Sequence, residues 1–149
     1  MLRRAREKDV PLIQSVLNKP ENWDKLEAYS DEAVLAAIND ETMTVFVWEE
    51  DGHWKGFCWL RWTSEGTKIE EFGVTDPGES VGSSFFSAVL KSEDLDDGQR
   101  PLWLAVAADN AAAIRFYERF GFVRATLREA VWNRRKGPIA DALIMRHEP

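Results

Sequence analysis

An α/β domain, with a central mixed and mostly antiparallel sheet flanked by helices, is the fold class that this sequence predicts. Two observations carry the expectation. Segments of strand and helix character alternate as β-α-α-β-β-β-α-β-α-β-β, an order that calls for a sheet covered by helices on both faces. Residues 101–107 are short and almost wholly apolar, as a strand buried on both faces is. At 149 residues the chain has the length of one domain with one core. Residues 1–149 are therefore expected to form a single domain with one active site.

The elements follow from local patterns. Residues 2–6 read as a first strand. Asp9 is placed to cap a helix with Pro11 in its first turn and Ile13, Val16 and Leu17 on one face, and Pro20 ends it. A second helix is expected over residues 31–38, capped by Ser30, with Ala33, Val34, Ala37 and Ile38 as its apolar side. The stretch between the two helices, residues 21–29, has no clear pattern. Residues 42–49 and 54–63 are rich in Val, Phe and Trp and are joined by Glu50-Asp51-Gly52-His53, which is the pattern of a hairpin.

Glu65-Gly66 then turns the chain into a strand over residues 67–75. Asp76-Pro77-Gly78 breaks that strand, and Phe85, Phe86, Val89 and Leu90 recur at helical spacing within residues 81–92. The acidic residues 93–98 read as a solvated loop. After the buried strand, Asp109 or Asn110 can cap a helix that turns Ala113, Ile114, Tyr117 and Phe120 inward and places Gly121 at a left-handed C-terminal cap. Strands over residues 123–131 and 139–146 flank a basic Arg134-Arg135-Lys136-Gly137 turn.

Composition excludes several classes. With 30% charged and 44% hydrophobic residues the balance is that of a soluble globular protein. The formal charge of -7 opposes general nucleic-acid binding, which needs clustered positive charge, and favours a cationic substrate. No apolar run approaches the length of a membrane span, so no membrane partner is expected. Cys58 is the one cysteine, and His53 and His147 lie far apart, so neither a disulfide nor a zinc site is expected. A cytoplasmic location follows as the expectation. The sequence permits a homodimer as readily as a monomer.

The most informative stretch is LWLAVAADNAAAIRFYERFGF, residues 102–122. It joins a buried strand, a capping Asn and a helix with one polar-tipped aromatic facing inward. It resembles the signature V-x-x-x-N-x-x-A-x-x-F-Y-x-x-x-G-F of the GNAT superfamily of N-acetyltransferases, met here by Val106, Asn110, Ala113, Phe116, Tyr117, Gly121 and Phe122. The resemblance implies a single-domain GNAT fold, acetyl-CoA as cosubstrate, no metal, and an amine acceptor that is a small molecule or a peptide. It also implies that Tyr117 is the general acid that protonates the departing thiolate. On helical pattern alone, Tyr117 reads equally as a core tyrosine with a hydrogen-bonded hydroxyl.

A second segment, IEEFGVTDPGESVGSSFF over residues 69–86, stands where the family has a strand, a glycine-rich pyrophosphate loop and a helix. Successive backbone N–H groups at a helix start can cradle phosphate without a charged side chain. By resemblance the cofactor contacts are Phe72, Val74, Gly78, Ser80, Val81, Gly82 and Ser83, joined from the other segment by Asn110, Ala113 and Phe116. The loop departs from the family pattern: Pro77 stands at the basic or amide position, Ser80 replaces the middle glycine, and Glu79 adds a negative charge. These departures keep a second reading open, a non-catalytic GNAT domain that binds CoA or a protein.

An amine must lose a proton to attack a thioester, and a carboxylate or an ordered water usually takes it. Glu70 and Glu71 on the strand before the loop are the candidate bases, and the resemblance puts Glu70, four residues before Val74, where many family members point a catalytic or water-holding side chain towards the substrate. The two glutamates point to opposite faces if the strand is regular, and a β-bulge would change that parity. The C-terminal half also resembles ribosomal-protein N-terminal alanine acetyltransferases in NAAAIRFYERFGF and ADALIM, yet Leu104-Ala105-Val106 lacks the glutamate of their core strand. Trp48, Trp54, Trp59 and Trp62 cluster on the hairpin. They fill the packed faces of the sheet, or one of them lines the acceptor site. Cys58 reads as buried filler.

Overall fold

The computed structural model describes residues 1–22, 25–77, 80–92, 95, 101–132 and 137–147. The elements are β1 (Leu2–Arg4), α1 (Val10–Leu17), α2 (Asp31–Asn39), β2 (Met43–Glu50), β3 (His53–Thr63), β4 (Gly66–Val74), α3 (Val81–Leu90), β5 (Leu102–Ala107), α4 (Ala111–Arg119), β6 (Val123–Trp132) and β7 (Ala140–His147). This is the order the sequence predicts. The strands form one seven-stranded sheet, β1-β2-β3-β4-β5-β7-β6. All neighbours are antiparallel except β4 and β5, which the crossover through α3 makes parallel.

Local chemistry explains most boundaries. The β2–β3 hairpin closes on Asp51 and Gly52, both at positive φ, with Glu50 opposite His53. Such a two-residue turn matches the twist of the strands it joins. Ser30 accepts a hydrogen bond from Ala33 N–H and so caps α2 as expected. Asn110, rather than Asp109, does the same for α4 through Ala113 N–H, and Gly121 follows at φ 91°. Asp9 departs from expectation: it sits before α1 without a side-chain cap bond. Its carboxylate is buried, accepts Arg6 N–H at 2.8 Å, and takes both terminal nitrogens of Arg3 at 2.8 Å.

The sheet carries two apolar layers. On one face α1 and α2 set Ile13, Val16, Leu17, Val34 and Ala37 against Val45, Val47, Phe57 and Trp59. On the other, α3 and α4 set Phe85, Phe86, Val89 and Ile114 against Phe46, Leu60, Ile69, Leu104, Leu143 and Met145. Phe86 is the hub of this second layer, with ring centroids 5.0–6.0 Å from Phe72, Phe116, Tyr117, Phe120 and Phe122. Aromatic pairs at such distances add to area burial, and here they fix α4 against α3. The hairpin tryptophans serve this packing. Trp48 stacks on Phe85, Trp59 lies against Tyr29, and Trp62 donates to Thr44. Edge strand β6 is exposed at every residue except Trp132, with Val123, Leu127 and Val131 facing solvent.

The Asp9 cluster yields a stability prediction. Burial would raise the Asp9 carboxyl, but hydrogen bonds from Arg3 and Arg6 N–H outweigh it and hold Asp9 below the ordinary value. Asp9→Ala leaves Arg3 without its buried partner and is expected to cost about 3 kcal/mol in urea unfolding near neutral pH. Because the folded-state pKa is depressed, that stabilisation is lost as pH falls through it, so the deficit should shrink as pH falls below the ordinary carboxylate range.

Candidate active site

β4 and β5 pair only from Thr67↔Leu102 to Ile69↔Leu104 and then part. A cleft of about 540 Å³ opens between them, lined by residues 69–74 of β4, 104–106 of β5, the start of α3 and one side of α4. The parting coincides with a β-bulge. Trp59 pairs with Glu71 and Leu60 with Ile69, which leaves Glu70 as the extra residue.

The bulge resets the alternation of β4. Ile69 and Phe72 pack on the α3 side, whereas a Cβ on Gly73 would meet Val16 of α1 and Phe57. Glu71, two residues before Gly73, therefore faces α1 and α2. Glu70 reaches Arg61 at 2.6 Å and Lys68 at 3.3 Å, neighbours of the α3-side residues Leu60 and Ile69, so it too lies on the α1/α2 side. The opposite-face arrangement of a regular strand is not realised. Both carboxylates line the cleft.

Their environments differ. Glu70 is held in an ion pair by two cations. Glu71 is buried and accepts the Tyr29 hydroxyl at 3.1 Å, with the Glu27 backbone N–H as a further donor. Burial pushes the Glu71 carboxyl up to about 8, helped by the nearby charges of Glu27 and Glu70 and opposed by the Tyr29 and Glu27 hydrogen bonds. Glu71 is thus the carboxylate tuned to take up and release a proton near neutrality.

From the other wall α4 contributes Asn110, Ala113, Phe116 and Tyr117. Tyr117 packs its ring against Phe86 and Phe122, and no hydrogen bond to its hydroxyl forms among the described residues. Burial raises its pKa, and the nearby Cys58 and Glu71 add to the effect. Tyr117 consequently keeps its proton near neutral pH, which a general acid requires. Asn110 spends its Oδ1 on the helix cap while still lining the cleft.

The α3 N-terminus closes one end of the cleft. Gly82 and Ser83 line it, as do Phe72, Val74 and Pro77, while the Val81 side chain is buried in the core and Ser80 lies outside the lining. Ser80 gives no side-chain cap, and the first intrahelical bond is Ser84 N–H to Ser80 O. The donors of Val81, Gly82 and Ser83 thus have no partner inside the helix. A Cβ on Gly82 would meet only Phe116, at 3.8 and 4.0 Å, so the space beside Gly82 belongs to the cleft. Gly78 and Glu79 lie outside the described residues, as does the basic turn at 134–136.

Several residues of the site, Tyr29 behind Glu71 and Trp132, Arg115 and Arg119 in the lining, escaped the sequence reading. Tyr29 belongs to the stretch with no clear pattern, and only its tertiary contact with Glu71 gives it meaning. Trp132 is the tryptophan that reaches the cleft, in place of those on the hairpin. A register shift between Arg128 and Trp132, with Ala130 at φ 49° donating its N–H to Asp141, brings it there. Arg115 and Arg119 extend from α4 along the cleft, Arg119 with its guanidinium 5.6 Å from the Phe116 ring. Their i, i+4 spacing was a signal available in the sequence. Cys58 is buried, and burial pushes its thiol up, so it is no nucleophile. Among the described residues no three His, Cys, Asp or Glu side chains gather as a metal site, and no helix is long and apolar enough to cross a membrane.

Comparison with known proteins agrees with this fold. The ribosomal-protein-S18-alanine N-acetyltransferase of Escherichia coli has the same fold, with a TM-score of 0.80 over 98% of this chain and 91% of that one at 21% identity. The spermidine N-acetyltransferase of Vibrio cholerae, solved in complex with CoA and spermine, gives 0.83 over 99% and 94% at 18% identity. The ribosomal-protein-alanine N-acetyltransferase of Brucella melitensis gives 0.78 over 100% and 99% at 20% identity. At such identities the likeness is one of fold, and no curated protein matches significantly in sequence. Residues 11–122, most of the chain, match the acetyltransferase (GNAT) family. With that match spanning both β4 and α4, the chain belongs to the acetyltransferase (GNAT) family, whose members are N-acetyltransferases.

Proposed function

We propose that this protein transfers an acetyl group from acetyl-CoA to a primary amine, with Glu71 as the general base and Tyr117 as the general acid. The observation that carries the reading is that these two groups line one cleft, Glu71 from β4 and Tyr117 from α4. Each has the protonation behaviour its role needs. Acetyl-CoA supplies the activated thioester. Glu71 accepts the proton that the amine nitrogen loses as its bond to the acetyl carbon forms, and Tyr117 gives its hydroxyl proton to the sulfur as the carbon–sulfur bond breaks. Each residue ends with the opposite proton count, and solvent restores both.

The same cleft suits the cosubstrate. The N–H groups at the start of α3, which have no partner inside the helix, are a natural anion cradle, and Gly82 keeps a side chain out of it. Arg115 and Arg119 would supply the positive charge that Pro77 does not. Glu70 is spent on Arg61 and Lys68, and serves to hold the bulge. Spermidine and a peptide with an N-terminal alanine are the first acceptors to test, because structural neighbours bear those substrates in their names.

Calorimetric titration with acetyl-CoA should show saturable one-to-one binding. Gly82→Leu should weaken it by about tenfold or more while leaving the melting temperature nearly unchanged. Absence of binding to the unmodified protein would replace this reading with that of a non-catalytic, partner-binding domain. Tyr117→Phe should slow single-turnover transfer by about 10²-fold with cofactor affinity intact; an undiminished rate would remove Tyr117 from the mechanism. Glu71 has its own signature in stability. Its folded-state pKa of about 8 lies above the ordinary 4.5, so the stability it contributes is present below the lower value and lost as pH rises through the upper one. Relative to the parent, Glu71→Gln should gain about 3 kcal/mol in unfolding free energy between pH 5 and pH 8.

A further inference from the structure

Glu71 does not stand alone in the cleft wall. The segment entering α2 crosses over it and presents Tyr29, whose hydroxyl lies 3.1 Å from Glu71 Oε1 and 3.3 Å from Glu27 Oε2. That hydroxyl has one proton to give. Tyr29 is itself fixed from three sides. Its ring rests on Trp59 with centroids 4.8 Å apart. Its carbonyl accepts Gln14 Nε2 at 2.8 Å, and the same nitrogen donates to Asp31 Oδ1 at 2.9 Å. The next residue, Ser30, caps α2. A tyrosine that is stacked, tethered and followed by a cap has little freedom to turn away from the carboxylate.

We propose that Tyr29 is a positioning residue for the proton transfer: its hydroxyl holds the Glu71 carboxylate in one orientation toward the cleft and sets the pH at which that carboxylate can accept a proton. The inference rests on the role given to Glu71 above. A donor stabilises the charged carboxylate over the neutral acid, and Tyr29 remains a donor because burial, then the charge of Glu71, raises its own pKa far above neutrality.

The other ionisable groups around Glu71 act alongside it. Glu27, from the same segment, repels the charged form through its carboxylate and favours it through its backbone N–H. Glu70, on β4, repels it with a charge that Arg61 and Lys68 largely neutralise. Tyr117 faces it from α4, and Lys25, Arg115 and Arg119 line the same cleft. Of these groups, Tyr29 is the one with a side-chain hydrogen bond to the carboxylate.

Carbon-13 NMR of the whole protein labelled at the glutamate carboxyls reads this directly, with Glu71→Gln identifying the resonance. In Tyr29→Phe, which keeps the ring on Trp59, the Glu71 midpoint should rise from about 8 by about one pH unit. Gln14→Ala, which keeps both partners and removes the tether, should move it a smaller distance the same way. In acetyl transfer to spermidine, the rising limb of kcat/KM against pH should shift upward with the midpoint, while KM for acetyl-CoA stays unchanged. An unmoved midpoint in both variants overturns the proposal. A moved midpoint with an unmoved limb upholds the control of Glu71 by Tyr29 and overturns Glu71 as the base. Should Tyr29→Phe fail to fold, Gln14→Ala decides alone.

Discussion

The arrangement of the site depends on one break in the sheet. Among the described residues β4 and β5 are the only parallel neighbours, and a parallel pair can be made only through a crossover, here α3. Their pairing stops at Ile69 and Leu104, where the bulge at Glu70 re-aims β4. Had pairing continued, the inner edges of both strands would be occupied and the α3 start would abut a closed sheet. Because it stops, a single cleft receives the end of β4, the middle of β5, the first turn of α3 and the inner side of α4. The bulge also turns two adjacent carboxylates to the same side, which a regular strand cannot do. The Arg61 and Lys68 ion pairs with Glu70 hold the unpaired residue where backbone bonding does not.

Given that break, burial sets the chemistry. Desolvation raises Glu71 and Tyr117 alike, but the consequence differs with the starting value. A carboxylic acid raised from 4.5 to about 8 arrives at the pH where it exchanges protons. A phenol raised further becomes a more secure proton holder. One physical cause thus gives the cleft a carboxyl that exchanges protons near neutrality and a phenol that retains its proton, the pair that the proposed reaction calls on. The Phe86 cluster matters for this reason: by fixing α4 against α3 it keeps Tyr117 in the apolar surroundings that hold its proton.

Much of the fold was legible in the sequence because its strongest signals are local. Hydrophobic period, the Asp51-Gly52 turn, the Ser30 and Asn110 caps and Gly121 each depend on a few neighbouring residues, and each stands where it was expected. Asp9 reads as a cap in sequence because Asp commonly caps helices, and it departs because a bidentate Arg3 offers a stronger partner than an N–H of the first turn. The site was legible to the extent that it is made from contiguous segments. Glu70 and Glu71 could not be ranked, since that required the bulge and the depth of burial. Tyr29 and Trp132 were invisible for a related reason. The first acts through a partner 42 positions away, and the second arrives through a register shift at the end of β6.

The altered loop before α3 is best understood from the same geometry. A phosphate cradle needs free backbone donors and room, with positive charge as a supplement. Room is present at Gly82, whose nearest neighbour for an added Cβ is Phe116. That ring also carries Arg119, which ties the cation to the helix start through one aromatic side chain. In this arrangement the charge absent at Pro77 sits on α4, one element away in space and some forty positions away in sequence. A motif read along the chain registers this as a loss. At the cofactor site proposed above it would be a relocation, since the electrostatic demand of an anion concerns where charge lies in space and not which segment bears it.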